Sequence, residues 1–342
     1  MLTSLGGGLL GLLDRRLVLS AWLPAMLFWG GLGALVVTGL GWPAATRWWL
    51  GQPGQFQVTL LVLALAWITF CAYLIAALVP AFIRAGEGYW PRPLSRLARW
   101  RRGRQLARQA ELAEDAAAFG RRQADYPLRA GSVMPTRLGN ILRAAEDHAL
   151  DRYGINAIVV WPRLYVLLPD QFTAAIAAAK MPLDLMAVIG ALATAFAVAG
   201  TVIAAVMLPW YAALACAGGG LLACCLAYTG AVQAARPYAQ LIRAGFDVHR
   251  GLLLDAAGLR RPRTYGEERR QWEQISHLWL QGVPEGPAGA ALLGYPGLPP
   301  AAAASPATPA VTRGTRRYLR WRAPHLAGKS NEGQNVAQGG GS

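Results

Sequence analysis

Four stretches of apolar residues dominate the hydrophobic pattern of this chain. They cover residues 17–40, 58–79, 185–208 and 211–232, and none contains Asp, Glu, Lys, Arg or His. Each has the length of about 20 residues that an α-helix needs to cross the hydrocarbon core of a bilayer. The pattern therefore predicts a mainly α protein with four transmembrane helices arranged as two hairpins.

The polar and mixed segments divide the rest of the chain around these spans. We expect a small, mostly helical cytoplasmic domain and a Pro-, Ala- and Gly-rich disordered C-terminal tail. The predicted order is a cytoplasmic N-terminus (1–16), a first hairpin (17–84), a basic helix with a mixed segment (85–180), a second hairpin (181–233), helices that pack with 134–169 (234–282) and the tail (283–342). Residues 330–342, which end in Gly-Gly-Gly-Ser, have the composition of an appended linker.

Local signals predict several elements of the cytoplasmic domain. Residues 91–125 have the composition of one basic helix, and Thr136 is placed to cap the next helix. Residues 157–161 fit either a short strand or a turn of helix, and we expect Pro162 to end that element.

Further along, residues 237–258 have a helical pattern of apolar positions. Thr264 and Glu267 then have the spacing of a capping box, in which the two side chains satisfy backbone N–H groups at the start of a helix. We expect this helix, which carries Trp272, to pack on the 134–169 segment.

The distribution of basic residues predicts the orientation of the spans. Cytoplasmic loops of membrane proteins carry an excess of Lys and Arg. Here 32 of the 33 basic residues fall on one side of the predicted topology, and only Arg47 falls on the other. Both termini are therefore predicted to be cytoplasmic.

Composition supports a membrane protein and limits its chemistry. The chain has a mean hydropathy of +0.30, with 54% hydrophobic and only 15% charged residues. Its four cysteines, Cys71, Cys216, Cys224 and Cys225, all lie inside the apolar stretches. They lack the spacing of a metal site, so we interpret them as small buried hydrophobic residues.

No motif indicates catalysis, a cofactor or a metal. His148 follows Glu146 and Asp147, but neighbours one and two positions apart do not share a helix face, so we expect a solvated helix surface there. No zinc-protease motif, nucleophile elbow or phosphate-binding glycine loop occurs. We therefore predict a non-enzymatic protein without catalytic, cofactor-binding or metal-binding residues.

The basic run after the second span suggests a partner, the anionic headgroups of the lipid bilayer. Basic residues at the membrane surface are each attracted by about 1 kcal/mol. The same residues could equally serve only to fix the topology, and the two interpretations are compatible. Nucleic acid is not expected as a partner, because no binding module accompanies the charge. The candidate lipid contacts are Arg96, Arg99, Arg101, Arg102 and Arg104.

One acidic residue lies at the cytoplasmic end of the third span. Asp184 follows Lys180 by four positions, so an ion pair along one helix face is one interpretation. The alternative is a ring of Asp184 side chains at the mouth of an oligomeric pore.

Two segments carry a resemblance. RLGNILRAAEDHALDRYGINAIVVWPRLYVLLP and FDVHRGLLLDAAGLRRPRTYGEERRQWEQISHLW together resemble a group of actinobacterial multi-spanning membrane proteins of unknown activity. The resemblance implies that the two segments belong together, in the plasma (inner) membrane of a bacterium. It carries no functional residue with it.

Three functions are compatible with this sequence. The first is a non-catalytic anchor, scaffold or sensor whose cytoplasmic domain docks a protein partner. The alternative is a homo-oligomeric channel or pore, and a membrane enzyme acting on lipids is a weaker third. Uncharged spans favour the first, since transporters and proton relays usually carry ionisable groups within their spans.

Overall fold

The computed structural model describes residues 21–115 and 119–295, which form eleven α-helices, two short 3₁₀-helices and no strand. The 3₁₀-helices are Arg92–Leu94 and Ala130–Ser132. The α-helices are α1 (Leu23–Leu40), α2 (Trp42–Leu50), α3 (Gly54–Glu87), α4 (Ser95–Glu114), α5 (Phe119–Asp125), α6 (Arg137–Tyr153), α7 (Ala157–Tyr165), α8 (Asp170–Met207), α9 (Trp210–Ala256), α10 (Tyr265–Gln281) and α11 (Gly286–Leu292).

Four of these helices are long and apolar enough to cross a membrane: α1, α3, α8 and α9. They contain the four apolar stretches of the sequence except for residues 17–22 and 208, of which residues 17–20 lie outside the described part of the chain. The predicted N-terminal segment 1–16 and residues 296–342 of the predicted tail also lie outside it.

Two of the four helices are much longer than the apolar stretches within them. The 38 residues of α8 and the 47 residues of α9 correspond to roughly 57 and 70 Å of helix, against about 30 Å of hydrocarbon core. Pro237 lies inside α9, so the separate helix that the sequence predicts from residue 237 is instead a continuation of the helix that contains the fourth apolar stretch.

Packing explains why α9 continues through Pro237. A proline inside a helix removes one backbone hydrogen bond. On either side of it, Ala235 and Ala239 are buried against Leu138 and Ile141 of α6. Tertiary contact at these small residues offsets the lost bond, which a local sequence pattern cannot reveal.

Small residues let α8 and α9 pack closely as a hairpin. A Cβ atom placed on Gly220 would lie 2.6 Å from the Cβ of Ala197, which is closer than two carbon atoms can approach. Close helix packing therefore depends on a small residue at Gly220. It does not depend on one at Gly218 or Gly219, where a Cβ would meet nothing within 4 Å.

Two buried clusters lie at the polar ends of α8 and α9. One joins α6 to these two helices through Leu138, Leu183 and Ala235. The other centres on Trp272 and Phe246, which are completely buried, and includes residues of α6 to α10. We call the assembly of α6, α7, α10, the first turns of α8 and the last turns of α9 the bundle.

Helix caps follow the sequence closely at two positions. The hydroxyl of Thr136 accepts a hydrogen bond from the backbone N–H of Gly139 (3.0 Å) at the start of α6. The Thr264 hydroxyl accepts from the N–H of Glu267 (3.2 Å). In a capping box the Glu267 carboxylate would accept a hydrogen bond from the N–H of Thr264. Here it accepts from the N–H of the preceding residue, Arg263 (2.9 Å).

Three local predictions differ from the structure. Residues 157–161 are helical, but Pro162 lies inside α7, where the Asn156 cap and the burial of Val160 and Leu164 stabilise the helix. The predicted helix 91–125 is divided into α4 and α5, with residues 116–118 outside the described part.

The predicted tail is the third difference, because residues 286–292 form α11. Gln274 of α10 accepts a hydrogen bond from the N–H of Glu285 (3.0 Å), and Leu293 packs against the Trp272 cluster. These contacts hold a segment whose Pro-, Ala- and Gly-rich composition predicts disorder.

The four cysteines differ in their exposure to solvent. Cys71 and Cys216 are buried, as the sequence predicts for small hydrophobic residues. Cys225 is exposed on the apolar part of α9, and Cys224 accepts a hydrogen bond from the Thr194 hydroxyl (3.3 Å).

Candidate functional site

A polar junction on Asp247 joins α6 to α9. One carboxylate oxygen, Oδ1, lies 2.8 Å from Nε2 of His148, and the hydroxyl of Tyr153 donates to the same oxygen at 2.8 Å. The interpretation of His148 as a solvated helix surface is therefore wrong. Its partner lies 99 positions away in the sequence, so helical spacing within α6 gives no signal of it.

Arg250 extends this junction to α10. Its guanidinium lies over the Tyr153 ring, 4.1 Å from the ring centroid, and its Nε lies 2.7 Å from Oε1 of Glu268. Burial of the phenol and its hydrogen bond to Asp247 raise the pKa of Tyr153 above its ordinary value. The junction thus links three helices by charged hydrogen bonds.

The polar side chains of the junction bind one another, and His148 also lines a cavity of about 220 Å³. Here His148 and Tyr153 both bind one oxygen of Asp247, and the Tyr153 ring is covered by Arg250. No group of three or more His, Cys, Asp or Glu side chains that could hold a metal lies within residues 21–115 and 119–295.

The sequence-predicted pair Lys180 and Asp184 forms an ion pair along α8. The Lys180 Nζ lies 2.6 Å from Oδ1 and 2.7 Å from Oδ2 of Asp184. The pair lines a cavity of about 380 Å³ whose walls include Trp161, Tyr165 and Tyr238. Both oxygens of Asp184 are thus engaged within a single chain, and a ring at an oligomeric pore mouth stays a prediction.

The sequence-predicted arginines of α4 separate into three groups. Arg96 and Arg99 are exposed. Arg102 donates to the backbone carbonyls of Ala130 and Gly131, which attaches α4 to the following 3₁₀-helix. Arg101 and Arg104 line a cavity between α4 and the start of α6.

We call this cavity the arginine pocket. It has a volume of about 500 Å³, and its charged and hydroxyl-bearing walls include Arg101, Arg104, Arg108, Glu111, Arg137 and Tyr228. Arg137 was not among the sequence-predicted contacts, because it comes from α6, and nothing in the sequence brings α6 next to α4. Arg108 does carry a signal, since positions 101, 104 and 108 share one helix face.

No protein-family model, no curated protein and no solved structure matches the chain.

Proposed function

We propose that this protein is a non-catalytic integral membrane anchor that presents the bundle to a protein partner in the bacterial cytoplasm. The observation that supports this proposal is the continuity of α8 and α9. Each runs without a break from an uncharged apolar stretch into the buried Trp272 cluster.

Continuous helices suit an anchor because they fix a soluble bundle relative to the membrane. Phe246 of α9 and Ile176 of α8 belong to the same buried cluster as Trp272 of α10. The Asp247 junction adds hydrogen bonds between the same elements. The bundle cannot then move independently of the spans without exposing apolar surface.

The distribution of basic residues supports a cytoplasmic location for the bundle. The loop that contains α2 carries one basic residue, Arg47, whereas α4, α6 and α10 are rich in arginine. The engagement of Asp184 by Lys180 favours an anchor over the alternative, a homo-oligomeric channel, because the carboxylate already has a partner in its own helix.

Site-specific photo-crosslinking in cells tests the docking role. Val248 on the bundle half of α9 is 72% exposed, and Val206 near the opposite end of α8 is 80% exposed. A photo-reactive amino acid at Val248 should give one discrete adduct with another protein, and the matched position Val206 should give none. The adduct should disappear when Trp272→Ala unfolds the bundle.

Conductance measurements test the alternative with the same purified chain. An anchor should leave a planar bilayer at background conductance. A single-channel current whose ion selectivity changes in Asp184→Asn would contradict the proposal and support a channel. An adduct at Val248 only between two copies of this chain would also contradict the docking role.

A further inference from the structure

The arginine pocket has a cationic wall built on one face of α4. Arg101, Arg104 and Arg108 follow each other at intervals of three and four positions, so their side chains project from the same side of the helix. Glu111, one turn further, is the acidic residue among the pocket-lining side chains. The face therefore carries a clear excess of positive charge.

The opposite wall comes from α6 and α9. Arg137 is partly buried, and its backbone N–H donates to the Tyr228 hydroxyl oxygen (3.2 Å). The Tyr228 hydroxyl proton has no acceptor in the described part of the chain, so it is able to donate a hydrogen bond to a ligand. Four arginines and Tyr228 are thus among the residues that line the cavity.

These four arginines have no carboxylate partner among the residues that the structure describes. Every ion pair found within residues 21–115 and 119–295 involves other basic residues, Arg129, Arg143, His148, Lys180, Arg236, Arg250, Arg260, Arg261 and Arg269. Elsewhere in the protein, arginines such as Arg250 are paired with carboxylates at about the distance of a charged hydrogen bond. Several arginines that line one cavity, with no carboxylate partner in the described part of the chain, favour an anionic ligand.

The α4 wall is held in position by polar contacts to residues 126 and 127. Buried Gln109 donates to the carbonyl of Pro127 (2.8 Å), and the Tyr126 hydroxyl donates to Gln105 (2.9 Å). Two of the arginines also lie against tryptophan rings, Arg101 on Trp90 (5.9 Å) and Arg104 on Trp100 (5.2 Å). These contacts restrict the guanidinium groups before a ligand arrives, which lowers the entropic cost of binding.

The position of the pocket along the helices indicates where the ligand comes from. Tyr228 lies four residues before the end of the fourth apolar stretch at residue 232. Trp90, beneath Arg101, follows the end of α3 and has the amphipathic character of residues at the headgroup level. The cavity is therefore at the depth of the lipid phosphates, if the four helices are inserted as proposed.

We propose that the arginine pocket binds the headgroup of a membrane phospholipid that carries two phosphate groups, such as diphosphatidylglycerol. Four arginines opposed by one glutamate match a ligand with more than one negative charge. The volume of about 500 Å³ exceeds what a single phosphate fills. Basic pockets on the cytoplasmic side of membrane proteins bind such headgroups. The proposal rests on membrane insertion and not on the docking role.

Native mass spectrometry of the full chain, released from detergent micelles, measures this binding directly. The protein is titrated with diphosphatidylglycerol, and with phosphatidylglycerol at equal total phosphate. We expect tighter binding of diphosphatidylglycerol to the unmodified chain, and a loss of about tenfold or more in that affinity for the double variant Arg104→Gln/Arg108→Gln. The matched control Arg96→Gln/Arg99→Gln removes the same charge from the same helix outside the pocket, and should bind like the unmodified chain.

Two further measurements make the proposal falsifiable. Arg137→Gln, on the opposite wall, should also weaken diphosphatidylglycerol binding. If the α4 double variant does not fold, the affinity of Arg137→Gln tests the proposal in its place. Equal losses in the pocket and control variants, or no preference for the lipid with two phosphates, would overturn the proposal. Displacement of the lipid by inorganic pyrophosphate at equal concentration would also overturn it, because the ligand would then be a soluble phosphate.

Discussion

The hydroxyl of Tyr153 donates a hydrogen bond of 2.8 Å to Oδ1 of Asp247, across 94 positions of sequence. The bond connects the last residue of α6 to the part of α9 that extends beyond the fourth apolar stretch. It therefore links the bundle to a helix that continues into the predicted membrane span.

Removing this hydroxyl should destabilise the bundle. Tyr153 is buried, and hydrogen bonds to charged groups contribute about 1.5–3 kcal/mol. We expect Tyr153→Phe to lower the free energy of unfolding by roughly that amount, measured by thermal denaturation in nanodiscs. Tyr295→Phe is the control, because this exposed hydroxyl has no partner in the described residues, and its removal should have little effect. Equal stability of the two variants would show that the bond contributes nothing.

Truncation of Trp272 should unfold the bundle. The side chain is completely buried at the centre of the larger cluster, and replacing a buried aromatic residue by alanine costs about 3–5 kcal/mol. Limited proteolysis of Trp272→Ala should therefore give cleavage between residues 134 and 281 that the unmodified protein resists.

Trp272→Phe is the matched variant for this experiment. It keeps a large apolar ring and removes the indole N–H, a buried donor for which no acceptor occurs in the part of the chain that the structure describes. Trp272→Phe should lower the free energy of unfolding by less than Trp272→Ala does. Unchanged protease resistance in Trp272→Ala would contradict the packing of the cluster.

Two glycine substitutions should change stability in opposite directions. A Cβ atom on Gly139 would lie 2.2 Å from the backbone carbonyl oxygen of Glu87, so Gly139→Ala must separate α6 from the end of α3. A Cβ on Gly103 would meet nothing within 4 Å, and alanine in a helix interior is favoured over glycine by about 1 kcal/mol. Denaturation midpoints should therefore fall for Gly139→Ala and rise slightly for Gly103→Ala. A midpoint for Gly139→Ala at or above that of the unmodified chain would contradict the close approach.

Patterns that depend on neighbours in the chain could be predicted from the sequence. The four apolar helices follow from uninterrupted hydrophobic runs, and the Thr136 and Thr264 caps follow from a side chain three residues before the N–H it binds. The spacing of Lys180 and Asp184 likewise predicts their ion pair.

Features that depend on distant segments could not be predicted. The partner of His148 is on another helix, and Arg137 joins the arginine pocket only because α6 packs beside the end of α3 and next to α4. Pro162 and Pro237 illustrate a second limit, since both remain helical where tertiary packing offsets a lost hydrogen bond. Local propensity contains no information about that compensation.

The proposed topology puts both termini and the bundle in the cytoplasm, and single-cysteine labelling tests this orientation. After replacement of Cys71, Cys216, Cys224 and Cys225, one cysteine is introduced either at Gln55, at the start of α3, or at Gln123 in α5; both positions are exposed. A membrane-impermeant maleimide added to intact cells should label the Gln55→Cys chain, and should label Gln123→Cys only after the membrane is opened. Labelling of Gln123→Cys in intact cells, with Gln55→Cys protected, would contradict the proposed orientation and the cytoplasmic placement of the bundle.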